Sequence, residues 1–405
     1  MKLYKSGESH GKFMVGLITD VPYGIPVDEN KINSLLRERN LAFGRSERQK
    51  KEKDKLFYLS GVANGKTTGN NVAVIIKNNV RTLSVYNSKL LCEGDRLDSK
   101  KCDESDKTEN CCEVCAEKCD EKCAETHSQS YAPLVNLRPG HADMPGIVKY
   151  GITDARVISE GASARNTCLN AVAGAIALSF LSELNVNVCA FVRAVADVKD
   201  DKDYSFKDVS CVCAPYFSVN DNFKKRAKVC VKKAAADGES LGGEIELRIS
   251  NIKAGLGGFE AEKRVSGAIA RDLLEIQAVK GVYFGENEQD ICLAGTAYAD
   301  SIVYENGNFY ASGKKSGGID GGMTNGAEIV IKVKVKPLPT TKKGVPSVDV
   351  NGKPCVSQKE RADITAVFAL CPILKGVVAL TLSSVITQST GDGSLQKIKE
   401  RYSAI

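Results

Sequence analysis

Histidine is scarce in this chain, three residues in 405, and its aromatic content is only 6%. Long apolar runs are missing as well. The longest, around Ala171 to Leu181 and Val377 to Val385, fall short of the length a membrane span needs. Met1 to Ser6 carries none of the apolar core of a secretion signal. These features predict a soluble, cytoplasmic protein with no membrane partner. Charge of one sign is also lacking: 56 Lys and Arg against 50 Asp and Glu leave +6, too mild a surplus to point by itself to nucleic acid. No Gly-x-Gly-x-x-Gly stands between a strand and a helix, and no glycine-rich loop ends in Gly-Lys-Ser/Thr, which excludes dinucleotide-binding and P-loop readings.

Cysteine is plentiful. Fifteen is an odd number, so the thiols cannot all pair within one chain, and a large cytosolic enzyme keeps them reduced. Eight of them lie in mostly apolar surroundings, such as Cys168, Cys189 and Cys371, and read as small core residues. The other seven fall between Cys92 and Cys123. Residues 100 to 126 hold five lysines and nine acids, and Leu97 and Val114 are the only branched apolar residues between Glu93 and Ser130. Such a stretch builds no core of its own, so residues 93–130 read as a charged Cys-rich insertion. Cys112, Cys115, Cys119 and Cys123 recur at steps of three and four, which gathers thiols on one face if the arm is helical. Only one Cys-x-x-Cys pair is present, with His127 nearby. A solvated arm, a zinc site and an oxidation-responsive arm all stay open, and no metal is assigned.

With 42% hydrophobic residues the rest of the chain can bury a large core. Runs of strand length occur at Phe13 to Thr19, Leu56 to Leu59, Val72 to Ile76, Val186 to Val192, Glu244 to Ile249 and Ile329 to Val335. Helical period appears over Glu29 to Arg39, Ser163 to Leu184, Ala261 to Ile276 and Asp363 to Ile386, the last expected to kink or restart at Pro372. These runs imply mixed α and β, with sheets covered on one face.

Two of the three histidines sit in glycine-containing turns, Gly7-Glu8-Ser9-His10-Gly11 and Arg138-Pro139-Gly140-His141-Ala142-Asp143. An imidazole held in such a turn is well placed for proton transfer near neutral pH. Basic residues concentrate from Arg37 to Lys55 around the single aromatic Phe43. Single-strand binding wants interleaved aromatics, so a small polyanion fits this cluster better than nucleic acid. The arginines, with planar forks, are the candidate phosphate or carboxylate ligands. Glycine-rich turns at 238–243, 254–258 and 316–326 offer backbone amides to a phosphate or a planar ring.

Read in order, these stretches resemble the chorismate synthase family. The resemblance rests on Gly7 to Gly11, Leu59-Ser60-Gly61 followed by Thr67-Thr68-Gly69, Arg138 to Asp143, Ser163-Ala164-Arg165, Gln277 to Val282, Gly321 to Gly326 and Lys336-Pro337-Leu338-Pro339-Thr340. It covers the whole chain apart from the insertion. Between Tyr86 and Arg138, where the family has a short connection, 51 residues intervene.

The resemblance implies an α+β fold, the family's β-α-β sandwich, as a single domain over 1–405 carrying the Cys-rich arm. It implies a lyase that removes phosphate and a ring proton from 5-enolpyruvylshikimate 3-phosphate with reduced FMN as cofactor, and a homotetramer. By position in the motifs, His10 protonates the departing phosphate, His141 donates toward the flavin and Asp363 takes part in removing the ring proton. Arg39, Arg45, Arg48, Arg138 and Arg165 are the implied substrate contacts. Ala162, Ser163, Gln277, Ala278, Gly321, Lys336, Pro337, Leu338, Pro339, Thr340 and Arg361 are the implied flavin contacts. NADPH as source of the reducing electrons stays open. The chain departs from the family pattern at 161–166, at 314–316 and after Asp363, so a flavin-binding paralogue that has lost the reaction stands beside the enzyme reading.

Overall fold

The structure is a computed structural model and describes residues 1–46, 54–78, 133–305, 307–360 and 362–405. The insertion at 93–130 and His127 therefore lie outside the described residues, as do Arg48 and Arg361.

Two antiparallel sheets enclose a pair of helices. In the first sheet, Lys2–Ser6, Phe13–Thr19, Val72–Lys77 and Lys55–Ser60 lie side by side in that order. Alternation decides its faces: Met14 and Ile18 point inward and are buried, while Val15 and Leu17 between them are exposed. Gly16 shares the inner face, where a Cβ would come within 3.1 Å of the Leu169 side chain. In the second sheet the order is Val279–Phe284, Ile329–Val335, Gly243–Ser250, Asn187–Val195 and Val198–Lys199. Its central strands are buried on both faces, helices covering one side and the Tyr204, Phe206 and Val209 region the other.

The enclosed helices are Thr167–Ser182 and Val367–Thr390, apolar on nearly every side because a sheet or another helix lies against every side. By length and composition the second could cross a membrane, but 83% of its most apolar window is buried inside the protein, which makes it a core helix. The two helices cross at glycines. A Cβ on Gly174 would lie 2.3 Å from the Gly376 Cα, so no side chain fits there. This layering of sheet, helices and sheet is the β-α-β sandwich that the family resemblance implied.

Local signals account for the element ends. Asp28 caps the Glu29–Leu41 helix by accepting from the Asn30 and Lys31 amides, and Ile32, Leu35, Leu36 and Arg39 form its buried stripe. The expected helix from Asp363 begins only at Val367. Residues 363–366 are held otherwise: the Asp363 carboxylate accepts the Ser46 amide, the Ile364 amide donates to the Gly44 carbonyl, and Thr365 Oγ1 accepts the Val367 amide. The helix also does not restart at Pro372. It runs unbroken to Thr390, because a proline in its second turn forfeits one backbone bond and the eighteen residues beyond it keep theirs.

At one end of the first sheet, the Gly7–Lys12 turn joins the first two strands, and Asp54 and Asn78 flank the other two. The start of the 167–182 helix and the end of the 29–41 helix arrive at this same end.

Candidate active site

His10 is fixed by a residue 150 positions away. Its main-chain amide donates to Glu160 Oε2 at 2.8 Å, and its Nδ1 lies 3.0 Å from both carboxylate oxygens. Glu160 is 3% exposed and belongs to the short Ala155–Gly161 helix. With Nδ1 against this carboxylate, Nε2 is the nitrogen turned outward.

Asn78 ties the same turn to the arginines. Its Nδ2 donates to the carbonyls of Glu8 and Gly11, and its Oδ1 accepts Arg165 Nε at 2.9 Å. Arg165 also reaches Asp54 at 2.5 Å. Burial pushes the Asp54 carboxyl up, but the hydrogen bond and charge of Arg165 and the charge of Arg39 outweigh it and hold the group below its ordinary value. Arg39 is fully enclosed, donating to Thr167 Oγ1, Asn40 Oδ1 and the Ala164 carbonyl. Burial, with the charges of Arg45 and Arg165 beside it, pulls the Arg39 guanidinium down to about 10. Arg45 in turn donates to Asp363 Oδ2 at 2.9 Å, and its buried Nε has no partner among the described residues. Three guanidinium groups, Arg39, Arg45 and Arg165, thus converge here with two carboxylates, Asp54 and Asp363.

The second histidine stands on a parallel arrangement. His141 Nδ1 lies 2.6 Å from Asp143 Oδ1, and Asp143 also accepts the main-chain amide, Nε and Nη2 of Arg138. Burial raises the Asp143 carboxyl, but hydrogen bonds from Arg138 and His141 prevail and hold it well below the usual carboxylate range. Arg138 donates further to Glu360 at 2.5 Å and to Ser159 Oγ at 2.8 Å. It is 2% exposed, and the described geometry uses its fork to hold His141 and the 357–360 strap. Ser159 and Glu160 are neighbours on one helix, so the two histidine turns share a support.

The implied flavin residues form a partly connected set. Gln277 Nε2 donates to Asn166 Oδ1 at 3.4 Å, next to Arg165. Lys336 links the Ala278 carbonyl, through its main-chain amide, to the Gly140 carbonyl, through Nζ at 2.6 Å. Burial and the charge of Lys280 lower the Lys336 ammonium. Gly140 has Pro339 Cβ as neighbour, and the Leu338 carbonyl accepts Ser240 Oγ, which fixes the 336–340 strap including Pro337 and Thr340. Ala162 closes the 155–161 helix and Ser163 Oγ accepts the Arg165 amide. Gly321 lies in a separate turn whose Gly322 packs on Gly258 and Arg264, and no described contact joins it to the others. The free groups suit a planar ring that brings a hydrogen-bond donor on its edge. Gln277 Oε1 is buried without a described partner, Ala278 holds φ +72, and a Cβ placed on Gly321, at φ +60, would meet nothing closer than Met323 Cε at 3.8 Å.

Comparison with known proteins bears on this arrangement. The sequence profile of chorismate synthase matches residues 1–387. The chain is 31% identical to the chorismate synthase of Aquifex aeolicus, covering 99% of this chain and 96% of that protein. The chain belongs to the chorismate synthase family. It is 33% identical to the chorismate synthase of Thermus thermophilus, over 99% of this chain and 97% of the relative. A solved structure titled "Crystal Structure of Chorismate Synthase" shares the fold with a TM-score of 0.72 at 24% identity, over 100% of this chain and 96% of that one. Chorismate synthases are FMN-dependent lyases of aromatic amino acid biosynthesis, and this chain is an enzyme of that kind.

In this chorismate synthase fold, two residues of the stretches that depart from the family pattern make ordinary contacts. Asn166 makes the link to Gln277, and Lys314 pairs with Glu328 at 3.5 Å. Sequence reasoning missed four carboxylates, Asp54, Asp143, Glu160 and Glu360, and the amide Asn78. Asp143 stood inside the quoted histidine motif, two residues from His141, and that spacing was a usable signal. Glu160 borders the 161–166 stretch and Glu360 lies three residues before Asp363, but neither spacing names a partner; like Asp54 and Asn78, they meet theirs only through the fold.

Proposed function

We propose that the residues gathered at this end of the sandwich bind 5-enolpyruvylshikimate 3-phosphate and eliminate its phosphate to give chorismate. The observation that carries the reading is the convergence of Arg39, Arg45 and Arg165 beside His10 and Asp363, with the Arg45 Nε left without a described partner. The substrate brings two carboxylates and a phosphate, and bidentate charge-assisted hydrogen bonds are what guanidinium groups offer such anions.

Arg45 and Arg165 hold the anionic groups, and Arg39, enclosed between the 29–41 helix and the Ala164 carbonyl, positions them. His10 gives the proton on its outward Nε2 to the oxygen leaving with phosphate. The carbon–oxygen bond pair departs on that oxygen, the pair of the existing ring double bond shifts to the carbon it leaves, and the pair from the broken ring carbon–hydrogen bond fills the position that shift vacates. Asp363 holds the ring proton, since each of its oxygens keeps a lone pair beyond those engaged by Arg45 and Ser46. His141, oriented by Asp143, holds a proton beside the residues assigned to the cofactor. Reduced FMN, when bound by Ala162, Ser163, Gln277, Ala278, Gly321 and the 336–340 strap, supplies an electron-rich ring to a reaction with no net oxidation. The same reading keeps residues 93–130 as an insertion in one chorismate synthase-like domain, the chain in the cytoplasm, and the assembly a homotetramer.

Arg45→Ala tests the anion site. Loss of a charge-assisted hydrogen bond of about 1.5–3 kcal/mol predicts a KM for the phosphorylated substrate raised about 10- to 100-fold. An unchanged KM in phosphate-release assays would remove Arg45 from the substrate's contacts.

A further inference from the structure

We propose that Glu160 is the positioning residue for His10, fixing which imidazole nitrogen faces the substrate. This rests on the role of His10 in the reading above, and the sequence reading assigned Glu160 no role. The carboxylate is almost wholly buried near the C-terminal end of a helix, where neither the helix dipole nor water favours a negative charge. Its contacts lie within one turn: the main-chain amide and Nδ1 of His10 reach the carboxylate, and the Ser9 amide donates to the Glu160 carbonyl at 3.3 Å. Among the described residues no lysine or arginine pairs with it. The contrast with Asp143 is direct, since that carboxylate is divided between His141 and the Arg138 fork.

A carboxylate at Nδ1 accepts N–H and cannot donate, so Nδ1 keeps its proton in both states of the ring. When His10 releases its Nε2 proton to the departing oxygen, the Nδ1–H tautomer is left, already bonded to Glu160, and reprotonation returns to Nε2 alone. Without Glu160 the neutral ring is free to put its proton on Nε2 and to rotate away from the productive geometry. Because the Ser9 and His10 amides are anchored on the same residue, ring orientation and turn position are set together.

The experiment is kinetics and imidazole ¹⁵N NMR on the full-length enzyme, wild type against Glu160→Ala and the near-isosteric Glu160→Gln. Three histidines make the imidazole spectrum assignable, with His10→Asn marking the His10 signals. Neutral His10 is expected as the Nδ1–H tautomer in wild type, and Nε2–H should gain population in Glu160→Ala. The kcat of Glu160→Ala should fall about 10- to 100-fold, with KM changed less than about threefold. Glu160→Gln, which keeps volume and one acceptor oxygen, should fold like wild type and recover part of that kcat. An unchanged tautomer in Glu160→Ala, or a kcat within about twofold of wild type in both variants, overturns the proposal. The spectra need no turnover, so a wild type that makes no chorismate while His10 keeps its Glu160-dependent tautomer refutes the reaction and not the pairing.

Discussion

Replacing Asp363 with asparagine is expected to lower turnover about 100- to 10,000-fold while the protein stays folded, the range that loss of a positioned proton-transfer group produces. Asparagine keeps the shape of the side chain and one oxygen for the Ser46 amide, so the strap at 363–366 retains its other ties, the Ile364 amide on Gly44 and the Thr365 cap on Val367. What asparagine cannot do is take up a proton. The KM for substrate should move little in comparison, because with the one amide oxygen on Ser46 the Arg45 Nη1 loses only its resting partner and stays free for the anionic groups of the substrate. Stopped-flow measurement of chorismate formation, beside a thermal melt of the same sample, checks both parts. Turnover near that of wild type would take the ring proton away from Asp363.

The second large effect is on stability. Asp143→Ala deletes a fully buried carboxylate that accepts three hydrogen bonds from Arg138 and one contact from His141. The Arg138 guanidinium would stay behind with Glu360 as its remaining anion, and breaking one side of such a buried pair costs about 3–5 kcal/mol. The pH dependence has a definite sign. A carboxyl held below its unfolded value of 3.8 contributes stability that is present above that value and is lost as pH falls through the folded one. The gap between wild type and Asp143→Ala in urea unfolding should therefore be full at neutral pH and narrow below about pH 4. A gap that is constant with pH, or under about 1 kcal/mol, would contradict the assigned pairing.

The regular parts of the fold were legible because each obeys a local rule. Phe13–Thr19 and Ile329–Val335 have the bounds that their apolar runs suggested, and the glycine-containing turns did mark both histidines. The helix over Asp221–Asp237 went unread, although Phe223, Ala227, Val231 and Ala234 form a buried stripe at helical spacing, because lysines dominate its composition. The start of the last long helix was misread for a different reason. Asp363 to Thr365 look helical in sequence, but they bond to Gly44 and Ser46 across more than 300 positions, and such contacts leave no periodic trace. The same holds for the supports of the site. Glu160 meets His10 and Asp54 meets Arg165 only because the strands and helices that carry them end at one place.

The measurement closest to the central claim is formation of chorismate and inorganic phosphate from 5-enolpyruvylshikimate 3-phosphate, run anaerobically with chemically reduced FMN. The account predicts both products in equal amounts, and none when FMN is supplied oxidised. A folded protein that binds flavin and gives neither product with the reduced cofactor would contradict it.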